Sequence, residues 1–391
     1  MNILQLSRNT PYPPQSGEEV RVWKTAEKLS ELGDVWVAAP LEGRQLPDGI
    51  RAVDLSSSLL ARRVVWNELW TGLFLLGERH PLRPVLRDSI VDAVETGIDD
   101  VTFDVVVCEV PQVADAAFEL ADDHHARVLM NKHNADHTIL EGFLEEWNAP
   151  GVARRRAVGN FRSFEQWGIA EADVTVFQSE DDMERFDVSA GPDSFVIPNG
   201  CDFEWIRDGG DPESAARECG VSLDAFTCVF LGSYDYDPNR RAASMIDERI
   251  APTFPEMQFL LVGRDPPAVS GDNVFTPGFV DDLPGTLGLA DVALCPLFSG
   301  SGTKLKMLDY FAAGLPVVTT PVGVQGLDVE HERNALIYED ADGMCRGIER
   351  LQSSEELRSR LSEAGLELGA RHSWETLLER YEDVFEALAS R

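Results

Sequence analysis

Short apolar runs alternate with longer stretches of helical periodicity along the chain, and this alternation is the strongest constraint on the fold. Each apolar run has few polar breaks, which is typical of a strand buried on both faces of a parallel sheet. A strand, a helix and a second strand in series form a right-handed crossover and build a doubly wound sheet. The pattern therefore predicts an α/β fold.

The pattern runs through the chain twice, which predicts two domains of the same architecture. A length of 391 residues fits this number, since a domain typically holds about 100–200 residues. The predicted strands are 3–6, 35–39, 105–110, 128–130 and 174–177 in the first half, and 228–231, 259–262, 292–294, 316–319 and 335–338 in the second. The clearest predicted helices are 19–32, 240–250, 304–313 and 374–390.

The turn sequence Pro198-Asn199-Gly200 lies where the pattern restarts and marks the domain junction. We expect a Rossmann-like N-terminal domain over residues 1–195 and a Rossmann-like C-terminal domain over residues 196–372. A last helix over 373–391 is expected to pack back on the first domain. Two parallel sheets that face a central cleft direct the carboxyl ends of their strands into it, and ligands of open α/β sheets bind at those ends.

The charge balance limits the classes of partner. The chain has 68 acidic and 34 basic residues and a formal net charge of -34, which argues against nucleic acid because a phosphate backbone binds basic patches. Lysine occurs only at positions 24, 28, 132, 304 and 306. A dispersed acidic, lysine-poor surface is typical of a halophilic protein, since a Debye length of about 3 Å at about 1 M salt screens its self-repulsion. An acidic enzyme of a mesophile is the alternative.

The cysteines and the apolar segments indicate the compartment. Six scattered cysteines without a C-x-x-C pair predict buried free thiols in a reducing, cytoplasmic setting. The chain starts on a strand-like run, MNILQL, and no window holds the roughly 18 apolar residues of a membrane span. Segment 64–77, with two tryptophans and several leucines, is either an ordinary packed helix or an amphipathic helix in peripheral contact with the inner face of the membrane.

The strongest local signal is the segment SGSGTKLKMLD at 299–309, which follows a predicted strand and opens a predicted helix. Glycines allow close approach of the backbone to a ligand, and the N–H groups and dipole at a helix start favour an anion. Lys304 and Lys306 add full positive charge in a chain that otherwise avoids lysine. The segment therefore predicts a phosphate site, and a simple helix-capping loop with solvated lysines is the alternative.

Six segments in the same order resemble the retaining glycosyltransferases of family 4, in particular the branch of polysaccharide and lipid-linked glycan assembly. The segments are NTPYPPQSG (9–17), NKHNADH (131–137), VIPNGCD (196–202), GSYDYDPN (232–239), LVGRDP (261–266) and GSGTKLKMLD (300–309), the last followed by AGLPVV (313–318) and VGVQGL (322–327). The resemblance covers nearly the whole chain. Each motif alone is weak, and their common order is the strong signal.

The resemblance implies the two-domain GT-B fold and a nucleoside-diphosphate-sugar donor. It implies hexosyltransferase-like transfer, with retention of configuration, to a hydroxyl group of a glycan, a lipid-linked molecule or another acceptor. It implies no metal and no other cofactor. In such a reaction the enzyme stabilises the departing diphosphate with fixed positive charge and positions the acceptor hydroxyl.

The resemblance also assigns donor-binding residues in the second half. Gly302 and Thr303 match the backbone that cradles the phosphates, and Asp309 matches an acidic residue that binds the donor ribose. Gly232 and Arg264 lie in the two matching segments that end earlier strands of that half.

Two residues of the first half complete the predicted site. Gly17 matches a glycine loop near the phosphates, and His133 matches a histidine near the transferred sugar. We treat His133 and Lys304 as the candidate catalytic residues. A histidine that merely caps a strand end is the alternative for His133.

The chain departs from the family pattern at four positions. Ser301 and Asp309 stand where the family has two glutamates, and Ser233 and Asn239 stand where it has an arginine and a lysine. The charge on the diphosphate must then come from another residue. We expect Lys304 to supply it first, ahead of Lys306, Arg240, Arg241 or Arg264.

Two other classes of function stay open at this point. A nucleotide-sugar epimerase or hydrolase of the same fold would need further acid–base carboxylates near the sugar, and the missing acid at Ser301 disfavours it. A non-catalytic nucleotide-sugar binding protein is compatible with the departures at positions 233, 239 and 301.

Overall fold

The computed structural model describes residues 1–14, 16–61, 82–98, 100–188, 193–300 and 302–390. The chain divides into two compact units, the first formed by residues 1–198 and 378–391 and the second by residues 199–377. Segment 64–77 and Ser301, on which two of the sequence-based expectations fall, lie outside the described residues.

The first unit is built on a seven-stranded parallel sheet with the strand order β3-β2-β1-β4-β5-β6-β7. Its strands are β1 (Asn2–Leu6), β2 (Asp34–Ala39), β3 (Ile50–Asp54), β4 (Val105–Cys108), β5 (Arg127–Lys132), β6 (Val174–Phe177) and β7 (Asp193–Val196). The chain order reverses between β1 and β4. This is the switch point at which open α/β sheets bind ligands beyond the carboxyl ends of their strands.

Helices connect these strands and bury their apolar faces on the sheet. They are α1 (Gly17–Leu32), α2 (Leu82–Gly97), α3 (Ala114–His124), α4 (Asp136–Glu146), α5 (Gly151–Glu171), α6 (Glu180–Met183) and, from the end of the chain, α15 (Tyr381–Ala389). The central strands supply much of the core, as in β4, where all four residues are buried. Such continuous burial is what the unbroken apolar run VVVC predicts.

The second unit is built on a six-stranded parallel sheet with the order β10-β9-β8-β11-β12-β13. Its strands are β8 (Thr227–Leu231), β9 (Gln258–Val262), β10 (Val274–Gly278), β11 (Val292–Cys295), β12 (Val317–Thr319) and β13 (Leu336–Ile337). The chain order reverses between β8 and β11, so the loops that follow these two strands leave the sheet side by side. The prediction of two doubly wound parallel sheets is confirmed.

The helices of the second unit are α7 (Phe203–Arg207), α8 (Pro212–Cys219), α9 (Asp237–Met245), α10 (Leu283–Leu287), α11 (Leu305–Ala312), α12 (Ala341–Ser353), α13 (Glu355–Arg371) and α14 (Trp374–Leu378). Helix α11 is held tightly against α13. A Cβ atom on Gly369 of α13 would lie 3.0 Å from the backbone nitrogen of Ala312, so glycine is needed for this close approach.

Three strands were absent from the sequence-based expectation, and all three are weakly buried. Strand β3 buries only Val53, and the four residues of β7 are partly or fully exposed. Strand β10 buries only Val274 and contains a proline. These strands lie at or near the sheet edges, where one face stays in water and no continuous apolar run is required.

Two predicted helices differ from those of the structure. The helix expected over 240–250 begins at Asp237 and ends at Met245, and Ile246–Ile250 continues as a π-helical turn. The last segment forms two helices, α14 and α15, instead of one. The N–H group of Glu382 bonds to the carbonyl of Glu379 at 3.0 Å, and this tight turn interrupts the regular ladder.

The cysteines match the expectation of free thiols. All six are unpaired, five of them are buried, and Cys345 is partly buried. In the part of the chain that the structure describes, no helix is both long and apolar enough to cross a membrane.

Candidate functional site

The candidate phosphate loop of the second unit follows β11, next to the end of β8 at the switch point. Gly300 and Gly302 have φ angles of 116° and 71°, which lie in the region that favours glycine. A Cβ atom on Gly300 would lie 2.9 Å from the hydroxyl oxygen of Tyr236. These backbone demands explain the glycines of this loop.

Helix α11 starts directly after the loop. Lys304 is its N-cap residue and makes no side-chain cap hydrogen bond, so the first turn is not capped by a side chain of its own. An uncapped helix start has N–H groups available for an anion, which the helix dipole also favours. Thr303 precedes the cap, and its hydroxyl oxygen would lie 2.6 Å from a Cβ atom on Gly326, whose φ angle is 77°.

The ammonium group of Lys304 folds back on its own loop. Its Nζ atom donates to the carbonyl oxygen of Gly302, and the residue is only 8% exposed. Burial lowers the pKa of Lys304. Lys304 therefore supports the loop backbone as well as adding charge to it.

Lys306 reaches a position that the sequence did not predict. Its Nζ atom donates to the side-chain oxygen of Asn239 at 2.8 Å and lies 4.2 Å from the centroid of the Phe230 ring. Burial lowers the pKa of Lys306 to about 8, with the neighbouring Lys304 acting in the same direction. The ammonium group of Lys306 thus lies beside Asn239, one of the two positions where the resemblance expects a basic residue.

The carboxylate of Asp309 lies one turn further along α11. The pKa of Asp309 is raised to about 7, mainly by burial and also by the negative charge of Asp202, while Lys306 opposes the shift. Sequence reasoning did not single out Asp202. A buried carboxyl group with a pKa this high marks a candidate functional position.

Gly232 and Arg264 lie at the ends of neighbouring strands. The N–H group of Gly232 donates to the carbonyl of Val262 at 2.9 Å, and the N–H group of Tyr234 donates to the carbonyl of Arg264 at 3.0 Å. A Cβ atom on Gly263 would lie 1.8 Å from the carbonyl oxygen of Gly232. The two strand ends approach so closely that glycine is required there.

Two other candidate cations are engaged elsewhere. The guanidinium groups of Arg240 and Arg241 pair with Asp237 at 2.9 and 2.6 Å. Because both are held by this carboxylate at the start of α9, Lys304 and Lys306 are the better candidates for binding a diphosphate.

In the first unit, His133 follows β5 and is 5% exposed. Its Nε2 atom lies 2.8 Å from a carboxylate oxygen of Glu109, which follows β4 and is fully buried. Within the described residues the Nδ1 atom of His133 is buried and has no hydrogen-bond partner. Sequence reasoning missed Glu109, although an acidic residue at the end of the run VVVC was a usable signal.

Side chains from three further elements complete this polar cluster. Gln5 and Asn131 donate from their amide nitrogens to the other oxygen of Glu109. The hydroxyl of Tyr381, on α15, donates to the amide oxygen of Asn131 at 2.8 Å. The C-terminal helix therefore contributes a hydrogen bond to the cluster that holds His133.

Gly17 is the first residue of α1 and is exposed. Ser16 caps this helix by accepting from the N–H group of Glu19 at 3.3 Å. Nearby, Arg8 pairs with Glu18, which also accepts from the side-chain amide of Asn9 at 3.2 Å. The loop that follows β1 is thus lined with charged and polar groups.

A second buried cluster lies next to His133, and its members bond to one another. The ammonium group of Lys132 bonds to Glu165 at 2.7 Å and to Asp136 at 2.8 Å. Glu165 also accepts from the ring of His137 at 2.8 Å. These partners make Glu165 a structural carboxylate. Among the described residues, no group of three or more His, Cys, Asp or Glu side chains is placed to hold a metal ion.

Residues 225–354, which form most of the second unit, match the sequence profile of the family described as Glycosyl transferases group 1. This match covers 130 of the 391 residues of the chain. The chain is similar to a D-inositol 3-phosphate glycosyltransferase of Corynebacterium urealyticum, with 23% identity over 99% of this chain and 96% of the relative.

Solved structures share the fold of this chain. The sucrose-phosphate synthase of Thermosynechococcus elongatus has a TM-score of 0.74 and 18% identity, covering 100% of this chain and 99% of its own. Anabaena HepE in complex with UDP-glucose has a TM-score of 0.65 and 14% identity, covering 99% of this chain and 100% of its own. The expected GT-B fold, two α/β units with parallel sheets, is confirmed.

Proposed function

We propose that this protein is a glycosyltransferase of the group 1 type, which moves a sugar from a nucleoside-diphosphate-sugar donor to a hydroxyl acceptor with retention of configuration. The observation that carries the proposal is the glycine loop that follows β11 and opens α11, with Lys304, Lys306 and Asp309 in the first turns of that helix. The combination of backbone N–H groups, two ammonium groups and a carboxylate suits a nucleoside diphosphate.

The second unit is proposed to bind the donor. Gly302 and Thr303 offer backbone N–H groups to the diphosphate, and Lys304 and Lys306 offer positive charge. Asp309 accepts from the hydroxyls of the ribose. The ammonium group of Lys306 lies beside Asn239. We therefore assign Lys306 a larger part in binding the diphosphate than the sequence alone predicted. Gly232 and Arg264 border the same site at the adjacent strand ends.

The first unit is proposed to serve the sugar and its acceptor. His133 offers the unpartnered Nδ1 atom to a hydroxyl group, and Gly17 lies in the loop that follows β1. In the reaction, the bond from the anomeric carbon to the diphosphate oxygen breaks and its electron pair leaves with the diphosphate. The acceptor oxygen bonds to the same face of that carbon, and its proton passes to the departing phosphate. No metal or other cofactor is assigned to these steps.

The acceptor is proposed to be a polyol, a glycan or a lipid-linked molecule. The relative from Corynebacterium is named for D-inositol 3-phosphate, and this name supports a polyol acceptor. Peripheral contact with the inner face of the membrane, from a cytoplasmic location, is proposed for the lipid-linked case. Exposed Phe143, Trp147 and Val152 at the turn between α4 and α5, close to Arg155 and Arg156, support this contact.

The test begins with a thermal-shift screen of nucleoside-diphosphate sugars in high potassium chloride, since a bound ligand raises stability with its concentration. Each stabilising sugar is then supplied in radiolabelled form, with and without inositol phosphates, glycans and lipid vesicles. Label that moves only when an acceptor is present supports the proposal. Label released as free sugar or as an epimerised donor indicates the hydrolase or epimerase, and binding without turnover indicates a non-catalytic binding protein.

A further inference from the structure

The buried cluster around His133 fixes the orientation of each of its members. Tyr381 donates its one hydroxyl proton to the side-chain oxygen of Asn131 at 2.8 Å, so the amide nitrogen of Asn131 must face the other way. That nitrogen lies 3.0 Å from an oxygen of Glu109 and donates to it. The amide of Asn131 therefore cannot rotate without losing both bonds.

The same oxygen of Glu109 is occupied by a second donor. The amide nitrogen of Gln5 bonds to it as well and also donates to the carbonyl of Val22 at 3.0 Å. Glu109 is fully buried, and its other oxygen has one hydrogen-bond partner among the described residues. That partner is the Nε2 atom of His133, at 2.8 Å.

A carboxylate can only accept hydrogen bonds, so the ring nitrogen that faces Glu109 must carry a proton. In a neutral imidazole the second nitrogen is then an acceptor. That second nitrogen, Nδ1 of His133, is buried and has no partner within the described ranges. A buried acceptor without a partner is unfavourable, and a ligand hydroxyl that donates to it would remove this cost.

We propose that Glu109 is a positioning residue, which holds the proton of His133 on Nε2 and keeps Nδ1 as an acceptor for a hydroxyl of the sugar or the acceptor molecule. The inference rests on the proposed function, because the hydroxyl belongs to a substrate of that reaction. Asn131 and Tyr381 support Glu109 in turn, so a helix from the end of the chain helps to set the state of His133.

The first test needs no variant. Histidine labelled with ¹⁵N in its ring reports which nitrogen carries the proton, and the His133 signals are assigned among seven histidines by their loss in His133→Asn. We expect the neutral ring to carry its proton on Nε2. A neutral ring protonated on Nδ1, or a ring that carries both protons under the conditions of the transfer assay, would overturn the proposal.

The second test is Glu109→Gln. The amide oxygen can still accept from Gln5 and Asn131, but the amide nitrogen now faces Nε2 of His133 and donates to it, so the proton must move to Nδ1. We expect the ¹⁵N signals to show the proton on Nδ1 in place of Nε2. We expect kcat for transfer to fall about 10–100-fold, by analogy with the loss of the partner that orients a metal-ligating histidine. The KM for the donor should change little, because the proposed donor site lies in the second unit.

The control is Glu165→Gln. Glu165 is another fully buried carboxylate that bonds to a histidine ring, His137, so this variant carries a similar structural disturbance in the same unit. It should reduce stability and leave the His133 signals and kcat nearly unchanged. A Glu109→Gln protein with an unchanged His133 ring state, or with an exchanged ring state and full kcat, would overturn the positioning role. A wild-type protein that transfers no sugar would instead refute the proposed function, while its ring state would still be measurable.

Discussion

Replacing Lys306 with methionine should make the protein more stable and less active. Burial lowers the pKa of Lys306 from 10.5 to about 8, so at neutral pH the folded protein still holds an ammonium group, which burial makes less stable than it is in water. A shift of about 2.5 units corresponds to about 3 kcal/mol. Loss of the hydrogen bond to Asn239 and loss of the contact with the Phe230 ring each cost about 1 kcal/mol, so the net gain in the free energy of unfolding is about 1 kcal/mol.

The pH dependence of this gain has a definite sign. Lys306 has a lower pKa in the folded than in the unfolded chain, so its destabilising effect is complete below about pH 8. As the pH rises from about 8 to 10.5 the unfolded chain binds more protons than the folded one, and the wild type becomes more stable relative to Lys306→Met. Denaturant unfolding of both proteins at pH 7 and pH 10 measures the difference.

The same substitution should reduce catalysis. A hydrogen bond to a charged group contributes about 1.5–3 kcal/mol, so the loss of the ammonium group from the diphosphate site should lower kcat/KM by about 10–100-fold. The matched control is Lys28→Met in the first unit, where hydrogen bonds to Glu31 and Glu382 raise the pKa of the lysine. The control should lose a little stability and keep its activity. A Lys306→Met protein that is less stable and fully active would refute the reasoning.

Two further predictions concern the same helix. The pKa of Asp309 is raised to about 7 and that of Lys306 is lowered to about 8, so kcat/KM for the donor should be greatest between these values. Asp309→Asn should remove the acid limb of this pH profile, and Lys306→Met should remove its alkaline limb. Identical profiles in the wild type and both variants would contradict the roles of Asp309 and Lys306. Lys304→Ala should lower transfer by orders of magnitude with the far-UV circular dichroism unchanged, and full activity would exclude Lys304 from the site.

The strands that could be predicted from the sequence are those buried on both faces. Strands such as β4 and β11 are continuous apolar runs because helices cover both sides of the sheet. The edge strand β3 could not be predicted in this way, since only Val53 of its five residues is buried. The glycine loop and α11 were predictable because their chemistry is contiguous in the chain.

The rest of the candidate site depends on contacts between distant segments. Lys306 meets Asn239 across 67 positions of sequence, and Tyr381 meets Asn131 across 250. The effect of Asp202 on the pKa of Asp309 likewise arises only in the folded chain. Sequence spacing therefore predicted the loop and its two lysines as a candidate site, but it did not predict where the ammonium groups of these lysines lie.

Hydrogen–deuterium exchange in the presence of a nucleoside diphosphate tests the donor site most directly. The backbone amides of residues 302–306, which end the glycine loop and start α11, should exchange more slowly when the nucleotide is bound, and Lys306→Met should weaken that protection. We expect the strongest protection there and at the end of β8. Saturating nucleotide that leaves the exchange of residues 302–306 unchanged would contradict the assignment of this loop as the donor site.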